Sequence, residues 1–254
     1  MLEAYIRERR RQKEILLMTH IVIGHPTLEA SFEIIQAMVK AGVDLMELQI
    51  PFSEPIADGP VILKANQDVI ARGIRVTDCM ALAAKAAGSF DIPFLFMTYY
   101  NILFKYGVDK FAAAMADNGL RGAIVPDLPP EEGEDYLRAM AARNLAPIFI
   151  YAPTSSEKRM RMIADHARGF IYCVARKGVT GQQTDFSEQL DSYLARCRTA
   201  TGLPLALGFG VKDRADVDFL TGKVDIAVIG TQTIRLMQDK GVGAVEEFIR
   251  GLRD

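Results

Sequence analysis

The chain has 254 residues, half of them hydrophobic and 24% charged, with Lys and Arg numbering 30 against 32 for Asp and Glu. That length suits one large α/β domain, and the apolar share excludes a disordered chain. A net charge of -2 gives no reason to expect nucleic acid as a partner, and no apolar run reaches the roughly 20 residues needed to span a bilayer.

In chain order, 7-RERRRQKE-14 comes first, mixing basic residues with two glutamates and lacking a secretory apolar core behind it. It reads as a solvated helical face. The run 16-LLMTHIVIG-24 follows as a first strand, and 28-LEASFEIIQAMVKAG-42 as a helix whose apolar stripe is Phe32, Ile35, Ala37, Met38 and Val39, ended by Gly42. A second strand, 44-DLMELQI-50, leads into the proline-pinned loop 50-IPFSEPIADGP-60, and residues 60 to 92 leave room for extra helix. Six more apolar runs follow: 93-PFLFMTY-99, 122-GAIVPD-127, 146-APIFIYA-152, 169-GFIYCVA-175, 204-PLALGFG-210 and 224-VDIAVIG-230, each followed by a helical pattern. Strand then helix, repeated eight times, predicts a single (β/α)8 TIM barrel over 1–254 with extra helical segments. An open doubly wound sheet would show a Gly-rich fingerprint after the first strand, where this chain has 24-GHPT-27.

In such a barrel the chemistry sits at the C-terminal ends of the strands. Alternation along 44-DLMELQI-50 places Leu45, Glu47 and Gln49 on one face and Met46, Leu48 and Ile50 on the other, so Glu47 points into the barrel. A poorly solvated carboxylate there suits proton exchange with a substrate; a glutamate paired with a buried tyrosine or a backbone amide fits the pattern as well. Asp58, in a loop stiffened by Pro51, Pro55 and Pro60, is a second candidate, with a turn or helix cap as the plainer reading. Asp127 closes the fourth strand, as a site residue or a loop cap. Tyr172 follows the alternation of Phe170 and Val174, so its hydroxyl can lie near Glu47 or simply in the core. The Gly-x-Gly of 207-LGFGVKD-213 and the Gly230-Thr231 step into a helix sit where these barrels commonly seat a phosphate. The polar stretch 176-RKGVTGQQTD-185 is a closing loop over ligand or a flexible connection.

Cys79, Cys173 and Cys197 are far apart and read as free thiols of a reducing compartment, hence a cytoplasmic protein. His20 and His25 face opposite ways by parity, and no third ligand suggests a metal site.

Taken together, 47-ELQIPFSEPIADGP-60, 97-MTYYNILFKYGVDKF-111, 125-VPDLPPEE-132, 172-YCVARKGVTG-181 and 207-LGFG-210 resemble the α subunit of tryptophan synthase, collinearly from about residue 15 onward. The resemblance implies a TIM barrel that cleaves indole-3-glycerol phosphate to indole and glyceraldehyde 3-phosphate by a retro-aldol step. It makes Glu47 the general acid/base and Asp58 the partner of the indole N–H. It places Tyr99, Asp127, Tyr172 and Thr180 around the substrate, and Gly181, Gly208, Phe209, Gly210, Gly230 and Thr231 at its phosphate. No metal or organic cofactor is implied in this subunit, and the partner is the pyridoxal-phosphate β subunit in an α2β2 assembly. His20, the His25 of 24-GHP-26, Gln49, Leu63, Lys177 and Thr231 depart from the usual family pattern. A second reading, from another class, is a regulatory subunit that keeps the fold and binds a phosphate ligand without turning it over.

Overall fold

The computed structural model describes residues 1–175, 183–208 and 210–253. Among these, eight strands pair in parallel with their chain neighbours: β1 (Leu16–Val22), β2 (Leu45–Gln49), β3 (Phe94–Met97), β4 (Gly122–Ile124), β5 (Ala146–Tyr151), β6 (Ile171–Val174), β7 (Leu205–Gly208) and β8 (Ile226–Ile229). Pairing of β1 with β8 closes the barrel. Every expected strand is present, trimmed by a residue or more at its ends.

Before, between and after the strands run α1 (Leu2–Gln12), α2 (Leu28–Lys40), α3 (Pro60–Ala71), α4 (Val76–Ser89), α5 (Tyr100–Tyr106), α6 (Val108–Asp117), α7 (Glu134–Ala141), α8 (Glu157–His166), α9 (Gln183–Ala200), α10 (Arg214–Leu220), α11 (Thr231–Lys240) and α12 (Val242–Gly251). Residues 60 to 92 do hold an extra helix, as α3 and α4. Helix α2 starts where the Thr27 hydroxyl accepts from the Ala30 amide at 3.1 Å, and ends before Gly42, whose φ of +93° favours glycine. Its buried residues are Ser31, Ile34, Ile35, Ala37 and Met38. The expected stripe is thus rotated: Phe32 and Val39 only edge the core.

The barrel wall separates two apolar clusters. Outward residues such as Leu17, Ile21, Met46, Leu48, Phe94 and Phe96 pack under the helices. Inward residues Leu16, Met18, Leu45, Leu95, Ile148 and Ile226 fill the lumen together with Leu2 and Ile6 of α1. Parallel strands covered on both faces are therefore apolar almost throughout, which is why they read as continuous runs.

Residues 7–14 are exposed or half-buried, as a solvated face requires, with 7–12 on α1, and the buried part of this helix lies ahead of them. Leu2 and Ile6 are buried against the lower lumen, and the basic residues converge on acceptors at the strand starts. The Asp44 carboxylate, fully buried, receives Arg9 at 3.2 Å, Lys13 at 2.6 Å, Arg253 and the Leu17 amide at 2.9 Å. Asp225 takes Arg198 at 2.7 Å, Arg10 at 3.3 Å and the Leu205 amide at 2.8 Å. A buried carboxylate needs such partners, because an unpaired one is expensive to desolvate. The lower end of the barrel is sealed in this way, and the upper end is left to polar groups.

Candidate active site

Strand parity brings three polar side chains into the upper lumen. On β2, Glu47 and Gln49 follow the inward Leu45; on β1, His20 follows the inward Leu16 and Met18. His20 and Glu47 are register partners on adjacent strands, and His20 Nδ1 lies 3.2 Å from Glu47 Oε1, with both residues buried. Across the lumen, the Tyr172 hydroxyl of β6 donates to the same Glu47 oxygen at 3.5 Å. Glu47 is therefore paired and only 3% exposed, yet its carboxylate stays among groups able to exchange protons.

Burial alone would lower the His20 pKa. The hydrogen bond and charge of Glu47, the charge of Asp58 and the Gln49 side chain outweigh it, and the imidazole is held above its ordinary value. His25 lies in the turn after β1, beyond the reach of strand parity, and meets Gln238 of α11 at 3.0 Å; burial lowers its pKa.

The loop after β2 is pinned at several points. The Phe52 amide donates to the buried Asn66 of α3 at 3.0 Å, the Asp58 amide to the Pro55 carbonyl at 3.1 Å, and the Ala57 amide to the Tyr99 hydroxyl at 3.2 Å. Phe52 stacks on the Tyr99 ring with centroids 5.1 Å apart. Asp58 is not a helix cap: Gly59 holds the N-cap of α3 and Pro60 its first position. The Asp58 carboxylate accepts instead from Gln49 Nε2 at 2.6 Å and from the Tyr99 hydroxyl at 3.3 Å. Burial pushes its pKa above the ordinary value, against the opposing pull of His20, Gln49 and Tyr99.

Asp127 plays the capping part that the sequence left open. Its carboxylate accepts from the Tyr100 amide at 2.9 and 3.2 Å, fixing the start of α5 just after Tyr99. At the other side of the mouth, a Cβ on Gly208 would stand 3.0 Å from Tyr172 Cε1 and 3.2 Å from its hydroxyl, so this glycine leaves room for the ring that reaches Glu47. Gly210 has φ +83°, a conformation that favours glycine. Gly230 is the N-cap of α11 and supplies no side-chain cap; the Thr233 amide donates to the Gly230 carbonyl at 3.1 Å, which leaves the N–H groups of Thr231 and Gln232 for an anion. Thr180, Gly181, Phe209 and the basic pair Arg176-Lys177 lie outside the described residues; of the stretch 176–185, Gln183 onward belongs to α9.

Sequence reasoning underused three residues of this constellation. Gln49 shares the inward face of Glu47, His20 that of Met18, and Asn66 sits on the apolar face of α3 with Ala65 and Val69. A polar residue at an inward or core-facing parity was the available signal.

The family model described as tryptophan synthase alpha chain matches residues 6–250. The chain is 68% identical over 253 residues to the tryptophan synthase alpha chain of Syntrophotalea carbinolica, covering 100% of both, and 64% identical over 252 residues to that of Desulforapulum autotrophicum, covering 99% and 100%. Among solved structures, tryptophan synthase subunit alpha from Legionella pneumophila superposes with a TM-score of 0.91 at 27% identity, covering 99% of this chain and 96% of that one. A chain of tryptophan synthase from M. tuberculosis, in an aminoacrylate-bound form, gives 0.90 at 27% identity, with 99% and 97% covered. The chain therefore belongs to the tryptophan synthase alpha chain family, the lyases that cleave indole-3-glycerol phosphate.

Proposed function

We propose that Glu47 is the general acid/base of this cleavage and that Asp58 is its electrostatic partner at the indole ring. The reaction breaks the bond between indole C3 and the glycerol phosphate side chain: a proton is added at C3 and one is removed from the side-chain hydroxyl, which becomes the aldehyde of glyceraldehyde 3-phosphate. Glu47 supports both tasks from a fixed place on β2, and Asp58, on its pinned loop, is set to receive the indole N–H as positive charge develops there. The observation that carries this reading is the convergence of the two carboxylates in one lumen, Glu47 through Tyr172 and His20, Asp58 through Tyr99 and Gln49.

At the phosphate end we assign Gly181, Gly208, Phe209, Gly210, Gly230 and Thr231, supported by the open N-terminus of α11. Tyr99 and Tyr172 line the substrate, Asp127 positions the segment that carries Tyr99, and Thr180 acts from the loop after β6. The whole chain, 1–254, works as one domain. Its partner is the pyridoxal-phosphate β subunit, which takes the released indole; Ile56 and Phe104, 79% and 70% exposed near the strand exits, supply apolar surface for that contact. Three buried free cysteines support a cytoplasmic setting. The non-catalytic reading is not favoured, because a pocket meant only for binding has no need of two convergent carboxylates.

The test is indole release from indole-3-glycerol phosphate by the purified chain, alone and with a β subunit. Release in the first condition, faster in the second, is expected. Substrate binding without release in either condition would return the chain to the regulatory reading.

A further inference from the structure

Two side chains of the upper lumen have unfinished hydrogen bonding. His20 Nε2 and Gln49 Oε1 are both buried and, among the described residues, neither has a hydrogen-bond partner. Their other ends are committed: His20 Nδ1 to Glu47 Oε1 at 3.2 Å, Gln49 Nε2 to Asp58 Oδ2 at 2.6 Å. Both side chains enter the lumen from adjacent strands, with His20 opposite Glu47 and Gln49 opposite Val22 in the β1–β2 register. We propose that His20 and Gln49 form a polar bridge joining the two carboxylates, in the order Glu47, His20, Gln49, Asp58, and that they are positioning residues for the cleavage.

The polarity of the chain of groups is consistent along its length. A carboxylate only accepts, so the Gln49 amide nitrogen must face Asp58 and its oxygen must face away, as a buried acceptor. An acceptor on that side calls for a donor at His20 Nε2, and the Glu47 carboxylate calls for a donor at Nδ1. Only the imidazolium donates from both nitrogens. A positive ring between two carboxylates is also the charge arrangement that makes burying all three affordable. The titratable groups facing the ring are Glu47 from β2 and Asp58 from the following loop, with Tyr172 of β6 beyond Glu47; β8 and α11 offer Gly230 and Thr233, which do not ionise. The bridge thus ties the position of one carboxylate to that of the other, across the place where the indole must lie.

This proposal rests on the acid/base reading of Glu47, and two experiments separate them. The first is ring-nitrogen NMR of ¹⁵N-histidine-labelled resting protein, with His20 assigned by replacing His25 and His166. Both His20 nitrogens should be protonated at pH 7, and Gln49→Gly should lower the pH at which the ring titrates. A neutral ring, or one whose titration ignores Gln49→Gly, overturns the bridge whatever the kinetics show. The second is a double-mutant cycle on kcat and KM for indole release. His20→Phe should lower kcat about ten- to a hundred-fold, the size of a lost charge-assisted hydrogen bond, with KM nearly unchanged. The pair His20→Phe with Gln49→Gly should lose no more than the worse single variant, because either substitution alone already breaks the bridge as a unit. Multiplicative losses, or a His20→Phe enzyme with wild-type kcat and pH profile, count against the bridge. A Glu47→Gln enzyme that still turns over overturns the acid/base reading alone, since the NMR result does not depend on it.

Discussion

Asp58 departs from the usual behaviour of a carboxylate held by donors. Burial outweighs Gln49 and Tyr99 and raises its pKa, so the folded protein binds this proton more readily than the unfolded chain does. Its contribution to stability is full below the unfolded pKa of about 3.9 and is lost as pH rises through the higher folded value. Asp58→Asn should therefore melt at the same temperature as wild type or higher at pH 7, with the difference closing near pH 4, while indole release falls about 100-fold. Scanning calorimetry at the two pH values checks the first part. A lower melting temperature for the variant at pH 7 than at pH 4, relative to wild type, would contradict the sign. Gly208→Ala should act through Tyr172: a Cβ 3.0 Å from the ring forces it to move, lowering stability by about 1–3 kcal/mol and kcat with it. Tyr172→Phe in the same background removes the 3.2 Å hydroxyl contact but keeps the 3.0 Å ring contact, so it should recover only part of the lost stability.

The elements divide labour between the two ends of the barrel. Helix α1 seals the lower end through Leu2 and Ile6, so Ile6→Ala should cost about 2–5 kcal/mol in a urea melt and leave kcat of the folded protein unchanged. A fall in kcat at constant stability would mean that α1 communicates with the upper end. The strands were legible in the sequence because a parallel barrel strand is buried on both faces and shows as an apolar run bounded by Gly, Pro or Asp. The docking of α1 was not: Arg9 meets Asp44 35 positions away and Arg10 meets Asp225 215 positions away, and neither charge marks its partner locally. The inward parity of Glu47 was readable from 44-DLMELQI-50 alone. Its neighbours His20 and Gln49 obeyed the same parity, yet their pairing depends on the register of β1 on β2, which no single segment reveals. Asp127 shows the reverse case, a strand-end carboxylate whose observed partner is the Tyr100 amide.

At the scale of the whole molecule, eight β/α units converge their polar residues on one mouth and leave the opposite end to packing and ion pairs. Fold and family follow from that rhythm and from the specific loop sequences; the proposed chemistry rests on one carboxylate held at the centre. Glu47→Gln tests it most directly, since the amide fills a similar volume, can still meet Tyr172 and His20, and cannot shuttle a proton. Indole release from indole-3-glycerol phosphate, measured beside the melting temperature, should drop about 10²- to 10⁴-fold with the fold intact. A Glu47→Gln protein that cleaves substrate within a few-fold of wild type would contradict the assignment of Glu47 as the acid/base.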